Sequence, residues 1–265
     1  SGLYARLIDE TAPAITFQLL DLEQFDLSDD LYIKMNARGK PLTPFETFKA
    51  RFERHLENQF KDALPDICNG TPIADFFSRR IDTRWSDFFW PFRDKKTSTF
   101  DDAMMNLLRT VIMVTRDPEA AATSADVADL RSTARASSYT WFHDRGWLDQ
   151  EMILALITLL DRWSAGSETF RCYLPDTRHL NEQAFFQDLL TKPTSFTFQQ
   201  LAQLAGYTQF LVHSTGEIDC AAFDAWMRIV SNLATNTDYN RPEDLRRSLA
   251  GLRDLTPWMN DILNH

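Results

Sequence analysis

The chain is short of the residues that mark several common protein classes. Glycine occurs only 8 times in 265 residues, which argues against a turn-dense β fold. There are 3 cysteines, Cys68, Cys172 and Cys220, far apart and in no Cys-x-x-Cys spacing. Such a set excludes a disulfide framework and a zinc ribbon, and fits inert thiols in a reducing cytoplasm. No apolar run approaches the ~18 residues of a membrane span; the longest, 152–160, falls far short. The first residues, Ser1-Gly2-Leu3-Tyr4-Ala5-Arg6, lack the positive region and apolar core of a secretory leader. Positive charge is also in deficit. The net charge of −10 and pI of about 5.0 make the chain as a whole repel a phosphate backbone. A cytoplasmic location with no membrane partner is expected.

Catalytic signatures are missing as well. There is no Gly-x-Ser-x-Gly elbow and no Gly-x-x-x-x-Gly-Lys phosphate loop. The five histidines, His55, His143, His179, His213 and His265, show no His-x-x-x-His or His-Glu-x-x-His spacing. His143 beside Asp144 is the most suggestive pair, because a carboxylate can orient an imidazole, but a surface pair is the simpler reading. The acidic doublets Asp29/Asp30, Asp101/Asp102 and Glu243/Asp244 each sit at an expected helix start, where they complement the helix dipole. The chain itself is therefore expected to be non-catalytic, without metal or cofactor.

What is present is aromatic. Twenty Phe and 7 Trp point to helix packing built on aromatic anchors. In 44–60, Phe45, Phe48, Phe52, Leu56 and Phe60 recur at three- and four-residue steps and form one apolar stripe. The same reasoning places a helix or two over 73–89, with Phe76, Phe77, Ile81, Trp85 and Phe88 inward. Further helices follow over 100–114, 125–131, 150–163, 181–190, 197–209 and 220–235. A last one starts near Pro242, with Asn240 as its cap, and runs to 254. Only 15–20 alternates like a strand, and a lone strand needs a partner from elsewhere. The expected fold is mainly α, an irregular bundle of about ten helices with one N-terminal strand. The division expected is a strand plus helical elbow over 1–50 and a helical domain over 51–265. The Ala/Ser/Asp/Thr-rich stretch 119–138 is the candidate flexible segment.

The most specified local feature is that elbow. Ser28 can cap a first helix, and Gly39 follows Arg38 where a left-handed C-cap is needed. Thr43 then caps a second helix, Pro44 takes its first position and Glu46 completes a Thr-x-x-Glu capping box. Asn36, Arg38 and Lys40 thereby cluster at a rigid turn. They are either site residues or pins that satisfy carbonyls within the elbow.

The run Asn36-x-Arg38-Gly39-x-x-Leu42-Thr43, followed by a helix carrying Lys49, resembles a segment near the end of the N-terminal domain of GmrSD-type restriction endonucleases. That bacterial family is related to the ParB/sulfiredoxin fold. The resemblance covers roughly 15–50. Weaker echoes of the family's helical continuation lie at Ile81-Asp82-Thr83-Arg84-Trp85, at Phe100-Asp101-Asp102, and at Trp226-Met227-Arg228 with Asn232. The family's nucleotide-hydrolysing motif, Asp-Gly-Gln-Gln-Arg, and its His-Asn-His nuclease module do not occur in this sequence. The resemblance therefore implies an interior fragment or a degenerate relative. An upstream ParB-like domain of the same protein would be its partner, and an NTP the cofactor of the intact protein only. Asn36, Arg38, Gly39, Lys40, Thr43 and Lys49 would face that nucleotide or core.

Two further features bear on partners. Arg228, Asn232 and Asn236 stand four apart on one helix and form a polar stripe that can line a groove. Local basic regions, Arg79/Arg80/Arg84/Arg93 and Arg241/Arg246/Arg247/Arg253, offer DNA contact despite the net negative charge, although acids interleaved with them favour solvated helix faces. The competing expectation is a stand-alone helical scaffold for protein interaction, without nucleotide chemistry.

Overall fold

The computed structural model describes residues 42–61, 65–116, 124–131, 138–166, 170–176, 178–192 and 196–263. The chain divides into a unit over Ser1–Leu42 and a second over Thr43–His265. The second is described below; the expected strand at 15–20 and the first half of the elbow lie outside the described residues. The division falls at the cap of the first described helix, so residue 50 is interior to that helix.

The second unit is helical, and no strand occurs among the described residues. Its helices are α1 (Pro44–Gln59), α2 (Ile73–Ile81), α3 (Arg84–Phe89), α4 (Asp101–Thr115), α5 (Ser124–Arg131), α6 (Tyr139–His143), α7 (Gln150–Trp163), α8 (Glu182–Thr191), α9 (Phe198–His213), α10 (Cys220–Thr235), α11 (Pro242–Leu255) and α12 (Met259–Leu263). Side-chain oxygens set most starts. Asp149, Asn181 and Asp219 accept N–H groups at the starts of α7, α8 and α10, and Thr197 forms a capping box with Gln200 on α9. The cap of α11 is Arg241, one residue later than expected. Asp244 is the reason: its Oδ2 accepts the backbone N–H groups of both Asn240 and Arg241 and starts the helix there. The stretch 73–89 is two helices, with Asp82 and Thr83 between them.

Two helices organise the packing. α4 touches α1, α5, α7, α8 and α9, while α9 touches α4, α7, α10 and α11. Surrounded in this way, α4 is buried on all sides from Ala103 to Thr115. Its polar residues are consequently paired inside the core. Asn106 donates from Nδ2 to the Leu190 carbonyl at 2.7 Å and accepts Arg109 through Oδ1 at 2.6 Å; the Thr110 hydroxyl donates to the Asn106 carbonyl. Burial lowers the pKa of the Arg109 guanidinium. At the α9–α10 crossing the two helices meet at Gly206, because a Cβ there would stand 2.6 Å from both methyls of Val230.

The aromatic anchors fill the core as expected. Phe52, Trp85, Phe89, Phe142, Phe186, Trp163 and Trp226 are all essentially inaccessible. Phe88, Phe92, Trp163 and Phe170 converge on Phe186 with ring centroids 4.5–5.5 Å apart. Arg80 and Arg84, read in the sequence as part of a solvated basic face, instead hold α2 and α3 to the end of α7. Both pair with Asp161, and Arg84 also donates to the Asp161 and Ser164 carbonyls, occupying the open end of that helix. Among the described residues, no helix is long and apolar enough to cross a membrane.

Candidate functional site

The described half of the elbow is built as the sequence indicates. Thr43 has extended backbone; its hydroxyl accepts the Glu46 N–H at 3.1 Å, and Glu46 Oε2 accepts the Thr43 N–H at 2.7 Å. Phe45, Phe48, Phe52 and Leu56 then bury one face of α1, so the elbow's second arm is rooted in the core. Lys49 lies on another face. It is ion-paired with Asp82 in the α2–α3 turn and stands 3.8 Å from Glu53. Burial pushes the Glu53 carboxyl upward, and Lys49 opposes that shift. Asn36, Arg38, Gly39 and Lys40 lie outside the described residues.

Beyond α1, the structure joins histidines that are distant in sequence. His55, on α1, faces Tyr139 and His143 of α6. A carbonyl only accepts, so the 2.9 Å contact of His55 Nε2 with the Leu148 oxygen fixes a proton on Nε2. Nδ1 is then the acceptor, and it receives the Tyr139 hydroxyl at 3.2 Å. His143 stacks on Tyr139 and meets the His55 ring edge to face. Its contact with Asp144 is 3.4 Å between two exposed side chains, a surface pair as read from the sequence. Among the described residues, no group of three or more His, Cys, Asp or Glu is arranged to hold a metal. Cys68 is buried and its thiol pKa is pushed up to about 11 by burial, whereas Cys172 and Cys220 are exposed.

The α10 stripe is exposed throughout: Arg228, Asn232 and Asn236 all face outward, while Trp226 is buried and donates from its indole to the Gly206 carbonyl. Asn236 caps the end of α10 through the Asn232 carbonyl. It also lines a polar recess with Asn240, Arg241, Asp244 and Arg247.

One concavity with apolar walls was not indicated by any motif. It is a cleft of about 560 Å³ between the end of α4, the start of α7, α9 and the end of α11. Val114, Leu154, Ala155, Ala205 and Val212 supply apolar walls. At its rim, Arg253 pairs with Glu151 at 2.8 Å and donates to the Thr115 carbonyl. Thr208 and Gln209 face it from α9, and the Thr208 hydroxyl and Gln209 Oε1 are buried without a hydrogen-bond partner. His213 donates from Nδ1 to the Gln209 carbonyl at 2.8 Å. Chemically the cleft suits binding of an apolar body with a polar end. No sequence signal marks it, because its walls come from four separated helices and Thr208 lies within an apolar run.

No family model, no curated protein and no solved structure matches this chain.

Proposed function

We propose that the chain is a non-catalytic helical module of a bacterial GmrSD-like defence protein. Its task is to carry and brace an upstream nucleotide-binding core. The observation that supports this is the capping box of Thr43 and Glu46. In the sequence, Asn36-x-Arg38-Gly39 precedes a helix whose apolar face is buried in the helical unit. On this reading Asn36 and Arg38 would face the upstream partner, which in the intact protein would hold the NTP. DNA contact is assigned to the edge where Arg93 stacks 4.4 Å over the exposed Trp90 ring, a flat cationic pair suited to nucleic acid.

Asn36→Ala and Arg38→Ala separate this reading from a structural one. Each is expected to leave the melting temperature of this chain unchanged and to abolish NTP-dependent DNA cleavage by the intact protein. Unfolding of the chain by both substitutions, or full NTP-dependent activity of both intact variants, overturns the reading.

A second reading, a stand-alone protein-interaction scaffold, is favoured by the 61% exposure of Trp258 and the 46% exposure of Leu233. It would replace the first if the intact protein had no NTP-dependent activity and bound a protein partner in a manner lost with Trp258→Ser.

A further inference from the structure

The threonines of this chain show what a helical hydroxyl normally does here. Thr110, Thr115, Thr191 and Thr256 each donate to the carbonyl four residues earlier, at 2.8–2.9 Å. Thr208 does not. Only 3% of it is exposed, and its hydroxyl makes no hydrogen bond although it sits in mid-helix on α9. The neighbouring Gln209 has the same property at Oε1. Buried polar groups are nearly always paired, so two orphans on adjacent residues call for a specific cause. Both residues line the same cleft, whose walls also include the apolar side chains of Val114, Leu154, Ala155 and Ala205 alongside the polar Thr115, Gln150, Glu151 and Thr256.

We propose that this cleft binds a small, uncharged, largely apolar molecule ending in a carboxamide or an equivalent group that both donates and accepts a hydrogen bond. The Thr208 hydroxyl would donate to the ligand oxygen, and Gln209 Oε1 would accept the ligand N–H. The apolar walls take the body of the ligand. The volume of about 560 Å³ lies within the ~300–1,000 Å³ typical of small-molecule sites. The rim explains the preference for a neutral ligand. Arg253 is the cationic side chain in the cleft lining, and Glu151 pairs with it through both carboxylate oxygens. An anion would have to compete with that carboxylate, while a neutral amide would not. The assignment rests on the cleft alone and stands apart from the GmrSD-like reading.

The test uses benzamide as probe on the full chain, with binding followed by ligand-observed NMR titration. N,N-dimethylbenzamide keeps the ring and the acceptor but has no N–H. Wild-type protein is expected to bind benzamide about tenfold more tightly than the dimethyl compound. Gln209→Leu should remove that difference. Thr208→Val, close in volume to threonine, should weaken benzamide about tenfold while the chain stays folded by circular dichroism. Leu154→Trp, a change at a partly exposed wall, should block both compounds. Absence of benzamide binding overturns the proposal. So does binding that survives Leu154→Trp, or that is indifferent to both Thr208→Val and Gln209→Leu.

Discussion

Tyr207 donates its hydroxyl to Glu182 Oε1 at 2.6 Å, with both side chains inside the core. The carboxylate also accepts the backbone N–H groups of Tyr173 and Leu174, and the Tyr207 oxygen accepts the Trp163 indole N–H at 3.0 Å. A buried carboxylate is tolerated because its donors are fixed, and the network fastens the segment before α8 to α7 and α9. Burial still raises the Glu182 pKa, against the pull of those hydrogen bonds. Tyr207→Phe strips one donor from Glu182 and leaves the Trp163 N–H without its acceptor. We expect a loss of about 1–3 kcal/mol in urea unfolding. A change below experimental error would mean that water replaces the hydroxyl.

Gly206 is required by space, not by backbone geometry. It is helical, and a Cβ would fall 2.6 Å from the Val230 methyls, on a side chain too stiff to turn away. In an open helix Gly→Ala would stabilise by about 1 kcal/mol. Here the clash is expected to reverse the sign, with Gly206→Ala destabilising by about 1–3 kcal/mol. Adding Val230→Ala should recover part of the loss. Simple additivity of the two substitutions in a double-mutant cycle would show that α9 and α10 are not held apart at this contact.

Thr43→Ala removes one side of the α1 capping box and leaves the Glu46 N–H without its partner. A loss of about 1 kcal/mol is expected, measured by thermal or urea unfolding, and Thr43→Ser should restore most of it. Equal stability of the Ala and Ser variants would show that burial of Phe45 and Phe48, not the cap, fixes where α1 begins.

Legibility in the sequence follows the range of the interaction concerned. Gln150–Trp163 and Cys220–Thr235 are readable to the residue, because Asp149 and Asp219 cap them and an apolar stripe follows each. The Thr43–Glu46 box is local and equally readable. The cap of α11 is misplaced by one residue, Arg241 rather than Asn240, because Asp244, inside the helix, reaches back to it. Complete burial of α4 depends on how many helices surround it, which its own periodicity cannot state. The same limit hides the link between His55 and Tyr139, the role of Arg84 at the end of α7, and the cleft at Thr208. Each joins segments whose proximity exists only after folding.

His55 gives the fold a pH dependence whose sign can be worked out. Burial lowers its pKa from the ordinary 6.5; the hydrogen bond to the Leu148 carbonyl opposes the shift, and nearby His143 adds to it. The folded state thus favours neutral His55, with Nδ1 accepting the Tyr139 hydroxyl. Arg51 and Asp144 are the charged groups that also act on Tyr139. Below pH 6.5 the unfolded chain takes up a proton that folded His55 still refuses, so unfolding is linked to proton uptake. The contribution of His55 is therefore fully present above pH 6.5 and is lost as pH falls through the lower folded pKa. In an NMR titration of the full chain, the His55 imidazole should show a midpoint below 6.5. Tyr139→Phe should raise that midpoint, because the hydroxyl that favours the neutral ring is gone. His143→Gln should raise it too, by removing a second positive charge. The stability difference between about pH 7.5 and about pH 5.5 should shrink in His55→Gln. A midpoint at or above the ordinary value would show that the Leu148 carbonyl outweighs burial, and the sign of the pH dependence would reverse.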